Sequence, residues 1–418
     1  MKVFKFGGAS VKNAEAVRNV GRVLSHFPND EILVVVSAMG KTTNALENTV
    51  QQHFKGFPVK KQLRDLQEEH LAVINELFSP DEHRVRSDVD MLFKQLEILT
   101  EQANDRPFNQ LYDAIVPYGE LISTKIISSY LNAHDYPNRW LDARRLIRTD
   151  QNYRFARIDW AFTTRMVQET IRSGQRYVIQ GFIGSDDDLH STTLGREGSD
   201  YTASVLGYIL QAEQVVIWKD VPGVLNGDPK VFDNVKLLRH ISYREAIELA
   251  YYGASVIHPK TIQPLQEKGV PLFVKPFADP EQEGTSIKSG ATLQPMLPCF
   301  IKKENQALIT ISTRDLAFII EEHLSKVYKL FHQFGIRVNL AQNTAISSSF
   351  CMNHDPVNVP ALCKALRKEF EVKIREKVSL YTVRHHDAPS RKLMRQTGEV
   401  LLEQRSNLTF QVAIQENE

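Results

Sequence analysis

The stretch KVFKFGGASVKNAEAVRNVGRVLSHFPNDEILVVVSA, residues 2–38, has an apolar run at each end and a longer amphipathic segment between them. The runs KVFKF and EILVVVSA are typical of buried strands, whereas the apolar residues between them recur at spacings of three and four. This order predicts a βαβ unit, whose two strands are parallel members of a sheet covered on both faces. The predicted fold class is therefore α/β.

The alternation of strand and helix returns further along the chain. Residues 42–102 are charged and helical in pattern, with FSPDEH between two helices, so we expect an inserted helical subdomain. Strand-like runs then follow as NRWLDA, RYVIQGFIG and QVVIWKDVPG, separated by segments with helical spacing. The pattern predicts one large domain with a mostly parallel central sheet covered by helices.

A change of architecture is predicted near residue 298. Prolines and glycines interrupt the periodicity at Pro280, Gly284, Gly290, Pro295 and Pro298. We predict a first domain of residues 1–298 and a second domain of residues 299–418. In the second, strand ALITIST, a helix over 316–335, two strands and another helix form a small α+β unit of βαββαβ type, and VSLYTVRHH begins an abridged second copy.

Composition excludes several classes of protein. With 418 residues, the chain is longer than a single core usually supports. Its 51 basic and 50 acidic residues give a formal charge of +1, so neither a nucleic acid nor a membrane surface is expected as a partner. Cys299, Cys351 and Cys363 lack zinc-ligand spacing and form no disulfide framework. Because Met1 leads directly into a strand without a signal sequence, we expect a cytoplasmic protein.

Candidate binding residues follow the first two strands. In KFGGAS, Gly7 and Gly8 could bring backbone N–H groups close to an anion, with the Lys5 ammonium nearby. An ordinary strand-to-helix turn explains the hexapeptide equally well. In VVVSAMGKTTN, Ser37 and Thr43 offer hydroxyls to a carboxylate or phosphate, although helix capping is the commoner reason for such residues.

Charged residues mark three further segments. In YGELIST, Glu120 could pair with a substrate ammonium or simply interact with a helix N-terminus. QGFIGSDDD and TTLGREGSD together suggest a hairpin or lid; the candidate residues there are Phe182, Arg196, Ser199 and Asp200. Glu197 should repel phosphate, so we expect it to point away from nucleotide, pairing with a base or helping to hold a substrate ammonium, or else to be a tolerated surface substitution.

Two later segments have features of a nucleotide site. WKDVPGVLNGDPK brings Lys219 and Asp220 to the end of a strand, where Pro and Gly are also ordinary turn residues. In YYGASVIHPKTI, Lys260 could reach a phosphate from the start of a helix, whereas His258 is expected to be structural. Neither segment is decisive alone.

The chain resembles the aspartokinases in a set of motifs that occur in the family's order between residues 5 and 262: KFGGAS, SAMGKTTN, YGELIST, QGFIGS, TTLGREGSD, WKDVPGVLNGDPK and AIELAYYGASVIHPKTI. The C-terminal α+β region is similar to the family's ACT regulatory units. The resemblance implies the amino-acid-kinase fold and transfer of the γ-phosphoryl group of ATP, with Mg²⁺, to the β-carboxylate of L-aspartate. It also implies cytoplasmic amino-acid biosynthesis and a homodimer.

The resemblance assigns roles to the candidate residues. Lys5 and Asp200 would be catalytic, Lys5 neutralising the transferred group and Asp200 organising the lysines. The residues implied to line the aspartate pocket are Ser37, Thr43, Glu120, Phe182, Arg196 and Ser199. Those implied to bind ATP are Lys5, Gly7, Gly8, Ser10, Lys219, Asp220, Lys230 and Lys260. No metal held by protein side chains is expected.

Several residues depart from the family pattern. The positions concerned are Ala9, Glu197, Lys219, Leu225, Lys230 and Ser255. The family commonly has lysine where Ser255 stands, and Lys219 and Lys260 are the candidates to replace that ammonium. In GIRVNLAQNTAISSS, Asn339 and Ala345 occupy a neighbourhood that usually carries an acid, so feedback inhibition by lysine or threonine is left open.

Two alternatives to an active aspartokinase remain at this point. One is a kinase of the same fold that acts on glutamate or on a nucleotide. The pair of Arg196 and Glu120 and the ACT-like region favour an amino acid over a nucleotide, and leave glutamate open. The other is a catalytically weak amino-acid sensor, which is kept open by Ser255, Ala9 and Glu197.

Overall fold

The computed structural model describes residues 1–81, 83–102, 106–254, 257–315 and 317–416. These residues divide into two compact units. The first comprises Met1–Val224, Leu237–Ile247 and Val256–Thr292, and the second comprises Leu225–Lys236, Glu248–Ser255 and Leu293–Glu418. The predicted boundary after residue 298 remains a prediction about independently folding domains.

The first unit is built on an eight-stranded sheet within the described residues, with strand order β3-β4-β2-β1-β7-β9-β10-β8. The strands up to residue 288 are β1 (Lys2–Phe6), β2 (Ile32–Val36), β3 (Arg139–Leu141), β4 (Tyr177–Gln180), β5 (Ile183–Ser185), β6 (Ser191–Thr193), β7 (Val215–Lys219), β8 (His240–Ser242), β9 (Leu272–Pro276) and β10 (Thr285–Lys288). Neighbouring strands of the sheet are parallel except β9 and β10, and β5 and β6 form a separate antiparallel hairpin. The predicted mostly parallel sheet and the hairpin are confirmed.

Helices cover this sheet. Up to residue 268 they are α1 (Ala14–Ser25), α2 (Thr42–Phe54), α3 (Lys60–Leu77), α4 (His83–Gln102), α5 (Phe108–Ile115), α6 (Tyr118–Ala133), α7 (Ala143–Leu146), α8 (Trp160–Thr170), α9 (Gly198–Ile209), α10 (Tyr243–Tyr252) and α11 (Pro259–Lys268). The described residues between 42 and 102 are mainly helical, as predicted, since α2, α3 and α4 lie there.

The opening βαβ unit forms with one local difference. Lys2 to Phe6 of β1 pair in parallel with Ile32 to Val36 of β2. The connecting segment begins with a 3₁₀ turn over Gly8–Val11, and α1 starts only at Ala14. Asn13 ends the turn because its side chain accepts a hydrogen bond from the Ala16 N–H at 2.9 Å, which caps α1.

Aromatic side chains fill the core beside β1. The Phe4 ring packs edge-on against Phe27 and Trp218, with centroids 5.0 and 5.6 Å apart, and the Phe6 ring stacks on Trp218 at 6.1 Å. Phe4, Phe6 and Trp218 are fully buried. Such packing holds β1 and β7 in register at the centre of the sheet.

The second unit contains a six-stranded antiparallel sheet in the described part of the chain, with order β12-β13-β11-β14-β16-β15. Its elements are β11 (Cys299–Ser312), α12 (Glu321–Gln333), β12 (Val338–Asn343), β13 (Ser347–Asn353), α13 (Asn358–Leu366), β14 (Glu371–Arg384), α14 (Ala388–Arg395), β15 (Gly398–Arg405) and β16 (Thr409–Glu416). The order from β11 to β14 is the predicted βαββαβ unit. The long strand β14 then begins the abridged second copy.

Two details of this unit differ from the sequence prediction. The helix predicted over 316–335 begins at Glu321, and its first predicted residue, Leu316, lies outside the described residues. Strand β15 is not predicted from the sequence, because its apolar residues, Val400, Leu401 and Leu402, are consecutive and do not alternate with polar residues. Across the described residues, no helix is long and apolar enough to cross a membrane.

Phe4→Ala should destabilise the first unit by about 3–5 kcal/mol, because it leaves a cavity between Phe27 and Trp218. The three tryptophans, Trp140, Trp160 and Trp218, all belong to this unit, so their fluorescence during urea unfolding reports on it. Phe57→Ala is the control, since Phe57 is 55% exposed and its loss should cost below about 0.5 kcal/mol. Equal urea midpoints of unfolding for Phe4→Ala and Phe57→Ala would contradict the assignment of Phe4 to the core.

Candidate functional site

The carboxyl ends of three neighbouring strands carry candidate residues. β1 lies between β2 and β7 and is parallel to both. Lys5 belongs to β1, Ser37 follows β2, and Lys219 ends β7. Because parallel strands present their carboxyl ends at one edge of the sheet, these three side chains lie at the same edge, where open α/β sheets bind ligands.

A cavity of about 510 Å³ opens at this edge. It is lined by Lys5, Ser37, Thr43, Glu47, Tyr112, Glu120, Arg154, Phe155, Phe182, Gly195, Arg196, Glu197, Gly198, Ser199, Asp200 and Lys219. All of these residues belong to the first unit. The structure therefore brings together both predicted catalytic residues and all six predicted aspartate-pocket residues.

Two lysines meet one carboxylate at the wall of the cavity. The Lys5 Nζ lies 2.6 Å from Asp200 Oδ1, and the Lys219 Nζ lies 3.4 Å from Asp200 Oδ2. Asp200 is 3% exposed and Lys5 8%. Burial alone would raise the pKa of Asp200, but the charges of Lys5 and Lys219 outweigh it and hold the pKa below its ordinary value. Asp200 is therefore a carboxylate that two lysines share.

Glu120 offers a buried carboxyl oxygen to the cavity. It lies in the first turn of α6 and is 2% exposed. Its Oε1 accepts a hydrogen bond from the Ala38 N–H at 3.3 Å, whereas its Oε2 is buried without a hydrogen-bond partner among the described residues. Burial raises the pKa of Glu120 to about 8, although the Ala38 N–H and Lys5 act in the opposite direction. A ligand cation could pair with Oε2 and favour the ionised form.

The loop that carries Arg196 and Ser199 packs tightly because of two glycines. A Cβ on Gly181 would come within 2.5 Å of the Ser199 Cβ, and one on Gly198 would come within 2.6 Å of the Phe182 Cδ2. Ser199 and Asp200 then lie in the first turn of α9. The Arg196 side chain is exposed and forms no hydrogen bond or ion pair within the described residues, so its donors can bind a ligand anion.

Glu197 is the N-cap residue of α9, in a left-handed conformation with φ of 53°. Its Oε2 accepts a hydrogen bond from the backbone N–H of His258 at 2.9 Å. The partner is thus a backbone N–H group, whereas a basic side chain was one of the partners considered for Glu197. His258 itself caps α11, since its Nδ1 accepts from the Lys260 N–H at 3.1 Å, as expected for a structural histidine.

Five predicted ATP residues of the first unit do not line the cavity. Gly7, Gly8 and Ser10 lie in the turn after β1, where the Gly8 carbonyl accepts a hydrogen bond from the Gly40 N–H at 3.0 Å. Asp220 follows β7. The Lys260 Nζ donates to the Leu194 carbonyl at 2.9 Å and lies 4.3 Å from the centroid of the Tyr201 ring.

Two other positions named in the sequence analysis lie outside the described part of the first unit. Lys230 belongs to the second unit. Ser255, where the family pattern has lysine, lies outside the described residues.

Sequence reasoning missed several residues of the cavity, chiefly Glu47, Tyr112, Arg154 and Phe155. The Tyr112 hydroxyl donates to Glu47 Oε1 at 2.5 Å, which joins α5 to α2. Arg154 and Phe155 lie in DQNYRFARID, which has neither helical nor strand periodicity. The adjacent Arg154 and Phe155 are the one feature of this segment that indicates a binding site, and such pairs are common on protein surfaces.

Outside the cavity, ligand atoms of Asp186, Asp188 and His190 lie within 4.8 Å of one another. Asp186 Oδ1 accepts the backbone N–H groups of Asp188 and His190 at 3.1 and 2.8 Å. These bonds are those of a tight turn between β5 and β6. The turn accounts for the cluster, and we assign no metal to it.

Glu120→Gln should remove a pH-dependent loss of stability. The pKa of Glu120 is near 4.5 ordinarily and about 8 in the folded chain. The folded state therefore keeps a proton that the unfolded state releases, so the free energy of unfolding falls as the pH rises from about 4.5 through about 8. Between pH 5 and pH 8, the melting temperature of the wild type should fall more than that of Glu120→Gln. The exposed Glu169→Gln is the control and should follow the wild type, whereas equal falls in all three would contradict the assignment.

Residues 1–276 match the profile of the amino acid kinase family. The chain is 32% identical over 356 residues to lysine-sensitive aspartokinase 3 of Escherichia coli (strain K12), covering 84% of this chain and 78% of that protein. It is 31% identical over 366 residues to chloroplastic aspartokinase 1 of Arabidopsis thaliana, covering 84% of this chain and 63% of that protein.

Solved structures agree with this relationship. Escherichia coli aspartokinase III in complex with aspartate and ADP has a TM-score of 0.81 and 26% identity, covering 99% of this chain and 96% of that one. The aspartate kinase of Clostridium acetobutylicum has the same fold, with a TM-score of 0.82, 21% identity and the same coverage. The chain therefore belongs to the amino acid kinase family and, within it, to the aspartokinases.

Proposed function

We propose that this aspartokinase transfers the γ-phosphoryl group of ATP to the β-carboxylate of L-aspartate, giving 4-phospho-L-aspartate. This reaction is the first step toward lysine, threonine and methionine. One observation carries the proposal: the unpartnered Oε2 of Glu120, the Arg196 guanidinium and the Lys5–Asp200–Lys219 cluster line one cavity. These three groups are complementary, in this order, to an ammonium, a carboxylate and a phosphoryl group.

In this proposal, the amino-acid end of the substrate binds Glu120 and Arg196. The ammonium pairs with Glu120 Oε2, and its charge lowers the cost of ionising that buried carboxyl group. The α-carboxylate binds the Arg196 guanidinium through paired N–H donors. Ser37, Thr43 and Ser199 supply hydroxyls, and Phe182 covers the carbon chain. The β-carboxylate is then left to face the lysines.

The phosphoryl end depends on charge. In phosphoryl transfer, catalysis comes mainly from positioning and from stabilising charge on the transferred group. Lys5 and Lys219 supply two ammonium groups, and Asp200 holds both of them through its two oxygens. Mg²⁺ would arrive bound to ATP and neutralise phosphate charge. Delivery of Mg²⁺ by ATP is consistent with the cluster, because Asp200 is already paired with Lys5 and Lys219.

The remaining nucleotide contacts are also proposals. Gly7, Gly8 and Ser10 would offer the phosphates backbone and hydroxyl donors in the turn after β1, and Asp220 and Lys230 would contact the rest of ATP. Lys219 replaces the ammonium that the family pattern has at residue 255. The Lys260 ammonium instead steadies the loop before Arg196, because it donates to the Leu194 carbonyl.

We further propose a cytoplasmic homodimer whose second unit binds an amino-acid effector. Support for an effector comes from Escherichia coli aspartokinase III, which has been solved in complex with lysine and aspartate, with a TM-score of 0.81 and 26% identity. In the second unit, the Asn339 Oδ1 accepts a hydrogen bond from the Lys303 ammonium at 3.0 Å. The Asn339 Nδ2 donates hydrogen bonds to Gln306 and Asn353 at 2.8 Å each. The side chain at residue 339 is therefore an uncharged amide that already forms three hydrogen bonds, so it would offer a lysine effector no carboxylate.

The activity is tested by incubating the purified full chain with MgATP, L-aspartate and hydroxylamine. Aspartyl hydroxamate should form, and Lys5→Ala should lower kcat at least about 100-fold, because an ammonium beside the transferred group is lost. Parallel reactions with L-glutamate test the acceptor. Formation of glutamyl hydroxamate alone would identify glutamate as the substrate in place of aspartate. The absence of a product with either amino acid would refute a kinase of this class.

Lys219→Ala should raise the KM for ATP about tenfold, because one of the two ammonium groups held by Asp200 is removed. Lys260→Ala should instead raise the KM for aspartate, through the loop that carries Arg196. Steady-state kinetics of both variants are compared with Lys268→Ala, at the far end of α11. The assignment fails when Lys260→Ala raises the KM for ATP and Lys219→Ala does not.

A further inference from the structure

We propose that Arg154 is a second substrate-binding arginine, which holds the α-carboxylate of L-aspartate together with Arg196. Asp113 is the positioning residue that presents it. This inference rests on the aspartate kinase activity proposed above.

The Arg154 guanidinium faces the cavity with its donors available. Its Cζ lies 4.6 Å from the centroid of the Tyr112 ring and 5.7 Å from that of Phe108. No hydrogen bond or ion pair to the guanidinium occurs within the described ranges. Aromatic faces attract a cation without using its N–H groups, so the five donors remain for a ligand anion.

The backbone at Arg154 is fixed in an unusual conformation. Its φ is 71°, in the left-handed region that residues with a Cβ seldom occupy. The Arg154 N–H donates to Asp113 Oδ2 at 2.9 Å, which holds the turn in this state. A strained residue that lines a ligand cavity is a candidate for function.

Asp113 connects both arginine-bearing segments. It lies in α5 and is 0% exposed. Besides Arg154, it accepts the Thr193 N–H at 2.8 Å on Oδ2 and the Thr193 hydroxyl at 2.7 Å on Oδ1. Thr193 ends β6, three residues before Arg196. One buried carboxylate therefore sets the position of both segments.

A second contact keeps these segments together. The Ala156 N–H donates to the Thr193 carbonyl at 3.0 Å. A Cβ on Gly195 would lie 3.1 Å from the Arg154 carbonyl oxygen, so the loop before Arg196 passes directly against Arg154. The segments that carry Arg154 and Arg196 are thus packed against each other, and both residues line the cavity.

The charges of the cavity identify the ligand group. Lys5 and Lys219 share Asp200, whereas Arg154 and Arg196 have no acidic partner among the described residues. Glu47, the acid nearest Tyr112 in this wall, already accepts the Tyr112 hydroxyl. A carboxylate has two oxygens and can accept from two guanidinium groups at once. The α-carboxylate is the anionic group of aspartate that remains when the β-carboxylate faces ATP.

The test compares Arg154→Gln and Arg154→Lys with the wild type by steady-state kinetics. Arg154→Gln should raise the KM for L-aspartate about ten- to a hundredfold, with the KM for ATP changed less than about twofold. Arg154→Lys keeps the charge but loses the planar fork, so its KM should be intermediate. The matched control is Arg157→Gln, an exposed arginine three residues along the same segment, which should behave as the wild type.

Asp113→Ala tests the positioning role. It should raise the KM for aspartate, and combining it with Arg154→Gln should raise that KM no further, because both changes remove the same contact. Asp113→Asn serves the same comparison if the alanine variant does not fold. A purely structural Asp113 would instead give additive effects or lower kcat alone.

The outcomes separate this inference from the proposed function. A wild type that forms no aspartyl hydroxamate overturns both. An active wild type with an unchanged KM for aspartate in Arg154→Gln overturns only the role of Arg154. A rise confined to the KM for ATP would assign Arg154 to the nucleotide and also overturn it.

Discussion

The ion pair between Lys5 and Asp200, 2.6 Å apart and nearly out of reach of water, is the constraint on which the site depends. Lys5 comes from the central strand β1 and Asp200 from the first turn of α9, so the pair ties the sheet to the helix that follows the Arg196 loop. Removing one partner of such a pair leaves a buried charge and costs about 3–5 kcal/mol. Lys219 adds a second cation from β7 and leaves the cluster positive where phosphate is expected.

Close packing also fixes the positions of the residues at the end of the cavity where the amino-acid group of the substrate is proposed to bind. The absence of side chains at Gly181 and Gly198 lets the end of β4 and the start of α9 touch, with Phe182 at a φ of 71° between them. Asp113 then fixes the end of β6 and the turn at Arg154 from the opposite side. Residues far apart in sequence are therefore held without the freedom of ordinary loops, which reduces the entropy lost when a substrate binds.

Sequence patterns predicted the parallel sheet, the β5–β6 hairpin and the first βαββαβ unit, because each depends on apolar periodicity within a continuous segment. Lys5, Glu120 and Asp200 were predictable as candidates, since they lie within two residues of a glycine at the end of a strand or at the start of a helix. Arg154 and Tyr112 were not, because their positions depend on contacts of Asp113 and Glu47 across more than 40 residues of chain. The apolar runs LAFII before α12 and VLL in β15 are continuous and fit a helix or a strand equally well, so local rules could not locate these elements.

The balance of charge explains how a cavity with four acidic side chains can favour an anionic substrate. Asp200 is neutralised by lysines, Glu197 accepts a backbone N–H, and Glu47 accepts the Tyr112 hydroxyl. Glu120, whose pKa is about 8, stays protonated at neutral pH while the cavity is empty, so the four basic residues outweigh the ionised acids. In the proposed substrate complex, the ammonium group beside Glu120 would favour the carboxylate form of that residue.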